Sequence, residues 1–155
     1  MNSAEIDPFL IYYERIVRPL FNNFRDIKHL RQNNLQYWKD YQAINLKVAQ
    51  KILEVKNQIK GITTIWLQNN HLLMVPLYVK KNFQEANIGL FFHSPFPSSA
   101  HFMTHKFRFE LIKSILHCDL VGFHLFIYAR NFFKTCNRLC GLDIEFRRGG
   151  YLGIN

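Results

Sequence analysis

Residues Ile65 to Pro76 read IWLQNNHLLMVP: bulky apolar side chains, then three consecutive uncharged amides, Gln68, Asn69 and Asn70, and then His71. The β-branched run ITTIWL (Ile62–Leu67) reads as a buried strand. LLMVPLYVKKNF reads as a helix that starts near Leu73, with Pro76 tolerated in its first turn. Buried amides without partners cost about 1–3 kcal/mol each. Three of them closing an apolar run mark either a polar loop at the mouth of a site or an ordinary strand end, and the neighbouring strands decide which.

Upstream, Trp38, Tyr41, Ile44, Val48, Ile52, Val55 and Ile59 follow one another by three or four positions, the stripe of one long helix, with Gly61 placed to close it. Downstream, the strand–helix unit recurs. ANIGLFFH (Ala86–His93) is a second apolar strand. SPFPSSAH is a loop, because its two prolines oppose both helix and central strand. FRFELIKSILHC places Leu111, Ile112, Ile115 and Leu116 on one helical face; DLVGFH (Asp119–His124) is a third strand; YARNFFKTCNRLCG is a helix ended by Gly141.

Strands that alternate with helices pair in parallel, since right-handed crossovers join parallel strands. Continuous apolar runs predict strands buried on both faces. The expected fold is α/β: a Rossmann-like parallel sheet with flanking helices, forming one partial domain over residues 1–155. Residues 1–60 are mainly helical, 62–145 carry the repeated units and 146–155 form a tail. Three strands on their own leave an open sheet edge and uncovered apolar surface, which predicts marginal stability.

Ligands of such sheets sit beyond the carboxyl ends of the strands. The strands here end in QNNH, HSPFPSS and FH, which brings His71, His93 and His124 toward one sheet edge. A single histidine at a strand end is commonly a structural hydrogen-bonder. Three at equivalent ends speak equally for a site.

Other patterns carry less. His101 and His105 in HFMTH have metal-ligand spacing on a helix but no acidic ligand close by. Ser98-Ser99 lacks a glycine elbow, and RRGG is too short to be a phosphate loop. Cys136 and Cys140, one helical turn apart, fit small apolar packing better than metal or redox chemistry. No cofactor is expected.

A hydrophobic content of 48% excludes a disordered chain, and 155 residues suffice for one core. No apolar run reaches the roughly 18–20 residues of a membrane span. Glu5 and Asp7 stand where a secretory signal would carry basic residues. These features predict a soluble cytoplasmic protein without a membrane partner. The net charge of +9 is dispersed along the chain, which suits a solvated surface or a cleft for phosphorylated ligands better than a nucleic-acid interface.

WLQNNHLLMVP, IGLFFHSPFPSSAHFM, DLVGFHLFIYARNF and NRLCGLD, with PLFNNF upstream, resemble, in order and spacing, the motifs of the trehalose-6-phosphate synthase family of retaining glycosyltransferases. Those motifs are W-V-H-D-Y-H-L-x-x-x-P, G-F-F-L-H-x-P-F-P-S-S-E-I-F-R, D-L-I-G-F-H-T-x-D-Y-A-R-x-F, S-R-x-L-G-L and W-P-L-F-H-Y. The resemblance implies the N-terminal half of a GT-B fold and glucosyl transfer from UDP-glucose to glucose 6-phosphate. It implies that His93 lies against the donor sugar in a catalytic role. It places Phe9, Arg18, Gln68, Asn69, His71 and His124 around the substrates, with Phe9 and Arg18 at positions of aromatic residues. Gln68 stands for a family histidine, and Asn69 for the aspartate that holds the acceptor. The glutamate and arginine after P-F-P-S-S are Ala100 and Met103. The groups that clamp the donor diphosphate belong, by this resemblance, to a second domain, so the chain is expected to be inactive alone. The alternative is a non-catalytic sugar-phosphate-binding or interaction module that docks on a full-length synthase relative.

Overall fold

A computed structural model describes residues 9–22, 35–59, 61, 64–147 and 151–154. Glu5 and Asp7, Ile62 and Thr63 of the first strand, and residues 148–150 of RRGG lie outside the described residues.

Residues 9–12 are helical and lead into a π-helical turn, Tyr13–Val17, in which the Arg18 N–H reaches back to the Tyr13 carbonyl, and the helix continues as α1 (Arg18–Phe21). Next comes α2 (Leu35–Gln58), in which Trp38, Tyr41 and Ile44 of the predicted stripe are buried together with Asn45 and Ala49, which lay outside it, while Val48, Ile52 and Val55 are only half-buried and Ile59, past the helix end, is exposed. Ile59 and Gly61 follow α2, and Gly61 takes the positive φ of 92° that favours glycine. The alternating part is β1 (Thr64–Gln68), α3 (Val75–Asn82), β2 (Asn87–Phe92), α4 (Ser99–Phe102), α5 (Arg108–Ile115), β3 (Leu120–Phe123) and α6 (Phe126–Cys140). Pro76 sits in the first turn of α3, where its missing N–H removes no helical bond. Gly141 caps α6 at φ 67°, its N–H donating to the Asn137 carbonyl at 2.9 Å.

The sheet is parallel, in the order β1-β2-β3, with Leu67 opposite Leu90 and Phe92 opposite Phe123. Asp119 locks the start of β2: its carboxylate accepts the Ile88 N–H at 2.7 Å and faces the Lys80 ammonium at 3.1 Å.

Three details depart from the sequence reading. The first is burial. Of the three parallel strands, β2 is the one buried through most of its length; β1 alternates, with Ile65 and Leu67 inside and Thr64, Trp66 and Gln68 outside. With strand order equal to chain order, right-handed crossovers set α3 and α5 on one side of the sheet. On the outer side, bulky rings cover glycines instead: the Trp66 ring lies over Gly89, and Phe91 over Gly122. The second is α4, which begins inside the stretch read as loop, where the Ser98 hydroxyl accepts the His101 N–H at 3.3 Å and so caps a short helix. The third follows α6, where β4 (Ile144–Arg147) and β5 (Tyr151–Ile154) pair antiparallel, β4 starting just before the residues read as tail.

The core lies between the inner sheet face and the helices. Ile88, Leu90, Phe92, Leu73, Val79, Leu111 and Ile115 are all buried there. Beyond the strand ends, Phe96 fills the centre of a ring cluster formed with Phe21, Phe92, Phe102, Phe123 and Phe132. Among the described residues, no helix is long and apolar enough to cross a membrane.

Candidate functional site

The loop after β1 is held from below by α2. The Asn45 amide is fully buried, donates to the carbonyls of Tyr41 at 2.9 Å and His71 at 3.4 Å, and accepts the Met74 N–H at 3.0 Å. The Tyr41 hydroxyl accepts the Leu73 N–H at 3.1 Å and donates to the Asn70 carbonyl at 3.4 Å. Two side chains one turn apart on a helix thus satisfy the backbone of residues 70–74. That bonding shapes the loop.

The amides above it are bonded to other protein groups. Gln68 Oε1 meets His93 Nε2 at 2.6 Å. Asn69 has φ 61°, a left-handed conformation that asparagine and aspartate tolerate, and its N–H donates to the Phe91 carbonyl at 2.7 Å. Its side-chain oxygen accepts the Ser94 hydroxyl at 3.0 Å, and the Asn70 amide donates to that same hydroxyl oxygen at 3.1 Å. Asn70 is buried, and its Oδ1 has no hydrogen-bond partner among the described residues.

His93 and His124 do come together. Their ring centroids are 5.4 Å apart, and both rings meet Phe91 edge-on at 4.9 Å. They share the outer face with Gln68, because Gln68, Phe91 and Gly122 are register partners and His93 and His124 follow in the alternation. His71 turns elsewhere. It stacks on Tyr13 at 3.9 Å, and burial lowers its pKa, with the Glu14 carboxylate acting in the opposite direction. Phe9 is buried and stacks on Tyr41 at 5.6 Å, which makes it a support for the loop helix. Arg18 is exposed and bonded to Glu14 at 2.6 Å.

Ser94 and Asn45 belong to this network and were not named from the sequence, whereas Asn70 was read there as one of three amides and Tyr41 only as part of the helical stripe. Ser94 had one usable signal, its place directly after His93. Asn45 had none: it is an amide within a helical stripe. The weaker motifs resolve into structure. The His105 ring nitrogens meet the Tyr12 hydroxyl and the Phe107 N–H at 3.2 and 3.1 Å, and the Ser99 hydroxyl accepts from Arg138 at 3.1 Å. Burial pushes the Cys118 and Cys136 thiols up to about 12, so neither supplies a thiolate near neutral pH.

The profile of Glycosyltransferase family 20 matches residues 6–153. A probable alpha,alpha-trehalose-phosphate synthase (UDP-forming) 11 of Arabidopsis thaliana is 43% identical over 117 residues, which are 76% of this chain and 13% of that protein. The Burkholderia xenovorans alpha,alpha-trehalose-phosphate synthase in complex with glucose 6-phosphate superposes with a TM-score of 0.85 at 20% identity, over 99% of this chain and 33% of that one. An E. coli structure bound with UDP-2-fluoro glucose gives 0.84 at 21% identity, again over 99% and 33%. At such identities the structural likeness is one of fold. The present chain spans between about an eighth and a third of these relatives.

Proposed function

Because this chain belongs to glycosyltransferase family 20, we propose that it is a trehalose-6-phosphate-synthase-like domain carrying the acceptor-side half of a glucosyl-transfer site, without transferase activity of its own. The observation that carries this reading is the state of the loop after β1. The position matching the family aspartate holds Asn69, whose oxygen is taken by Ser94, while Gln68 occupies His93. Groups that would meet a sugar are turned onto one another. Retaining transfer also needs positive charge at the leaving diphosphate, and by resemblance those groups come from parts of the family fold outside these residues. The purified chain, supplied with UDP-glucose and glucose 6-phosphate, is expected to release no UDP above a protein-free control. Sustained release by host-enzyme-free protein would refute the reading.

A second reading, sugar-phosphate binding without turnover, is favoured by the rigid support that Tyr41 and Asn45 give the loop. In either case the partners are glucose 6-phosphate, a UDP-sugar and a full-length synthase relative, in the cytoplasm. The two readings separate in a calorimetric titration with glucose 6-phosphate. Asn69→Asp combined with Gln68→His is expected to tighten binding by about 1–2 kcal/mol, because a carboxylate accepts hydroxyl hydrogen bonds more strongly than an amide. Asn70 is left alone because it is buried. Equal binding by both proteins, or by neither, would remove the acceptor-side assignment.

A further inference from the structure

Two imidazoles stand side by side where β2 and β3 end. Phe92 pairs with Phe123, so the next residues, His93 and His124, follow in register on the outer face, and both are exposed. Phe91 props them, meeting each ring edge-on at 4.9 Å. Gly122 leaves room for that prop, since a Cβ there would meet the Phe91 ring at 2.5 Å. The two histidine rings are thereby held with centroids 5.4 Å apart, at an interplanar angle of 58°.

That separation suits one shared ion. Two imidazoles on a single zinc, each nitrogen about 2.1 Å from the metal, have ring centres about 4.5–5.3 Å apart as the angle at the metal opens from square to tetrahedral. The observed value lies at the tetrahedral end. Gln68 supplies a second observation. Its Oε1 only accepts, so the 2.6 Å contact fixes the proton on His93 Nε2 and leaves the lone pair on Nδ1. The two nitrogens of an imidazole face nearly opposite ways, and β1 and β3 flank β2 on opposite sides. With Nε2–H held toward Gln68 on β1, Nδ1 faces the β3 side, where His124 stands. Metal-binding histidines commonly donate their far N–H to such a carbonyl, which sets tautomer and ring orientation.

We propose that His93 and His124 together bind one divalent transition-metal ion of the zinc, copper or nickel class, with Gln68 as the positioning residue that fixes the His93 tautomer. Imidazole nitrogen suits these ions, whereas magnesium and calcium take oxygen. Among the described residues, no three or more histidine, cysteine or carboxylate side chains gather to hold a metal ion. The ion therefore has two imidazole ligands and keeps its other positions for water or the oxygens of a ligand. The site requires neither a sugar nor transferase activity, so it stands or falls separately from the reading above.

Calorimetric titration of the full, tag-free chain with zinc chloride is expected to show one ion per chain. His93→Ala and His124→Ala should each weaken binding at least about tenfold, since losing an outer partner alone costs about 10–100-fold. The metal-free melting temperature should change little, because both rings are exposed. Gln68→Ala should weaken binding about tenfold, and Gln68→Glu, which restores an acceptor, should recover it. His117→Ala removes an exposed imidazole that faces the Lys113 carbonyl on α5, and should change nothing. Copper(II) chloride gives an independent reading on the unaltered chain, whose electron paramagnetic resonance should carry the hyperfine pattern of two imidazole nitrogens. No zinc binding, equal binding by wild type and either histidine variant, binding untouched by Gln68→Ala, one ion shared between two chains, or a single-nitrogen copper signal would each overturn the proposal.

Discussion

Phe96→Ala is expected to lower folding stability by about 3–5 kcal/mol, the range for truncating a buried phenylalanine whose cavity cannot collapse. Phe96 is fully buried, and its ring lies 5.3–5.9 Å from those of Phe21, Phe92, Phe102, Phe123 and Phe132. These rings come from α1, β2, β3, α4 and α6, so one side chain joins five elements beyond the strand ends. Its backbone is fixed as well, by the Asn131 amide that donates to the Phe96 carbonyl at 3.1 Å. Aromatic rings packed from several directions cannot all move in to fill the space. Urea unfolding monitored by circular dichroism reads the loss as a lowered midpoint. Phe96→Leu, which keeps much of the volume, should cost less than half as much. A loss below about 1 kcal/mol for the alanine variant would mean that the cluster is loosely packed.

Acidification is expected to remove on the order of 3 kcal/mol of stability through His105 alone. The ring is fully buried; its Nδ1 accepts the Phe107 N–H at 3.1 Å, which leaves the proton on Nε2 to face the Tyr12 oxygen at 3.2 Å. Burial first, and the Arg108 guanidinium second, lower its pKa from 6.5 to about 4. The unfolded chain therefore binds this proton more readily than the native one across that interval. The stabilisation is complete above pH 6.5 and is lost as pH falls toward 4. Burial also lowers the pKa of His71 and His101, which act in the same direction. Comparison with His105→Gln isolates the one group: melts at a series of pH values should show a markedly shallower acid dependence in the variant. Parallel curves would rule out His105 as the acid-sensitive element.

Much of this architecture was legible in the order of residues. The stripe from Trp38 onward, the apolar runs ending in QNNH, HSPFPSS and FH, and the glycines at 61 and 141 are local signals. Helix periodicity, strand composition and capping depend on neighbours within a few positions, and parallel pairing follows from strand–helix alternation alone. Family membership was legible for the same reason, since the motifs are contiguous stretches at matching spacing. The meeting of His93 with His124 needed only topology, both being the residues that directly follow adjacent strands.

Tertiary structure alone decided the rest. Whether an apolar strand residue is buried depends on what lies across the sheet, so Trp66 and Leu120, each about half exposed, could not be told from Leu67 or Leu90 by type. Gln68 binds His93 from 25 positions away, and Asn45 reaches 29 positions to Met74. Nothing local in either segment announces its partner. His71 left the histidine cluster for Tyr13 because the π-helical turn, itself without a sequence signature, puts that ring within stacking distance. The residues of the site were set by sequence order. Which of them turn toward one another was set by long-range packing, where each polar group must find a partner on another element or remain buried at a cost.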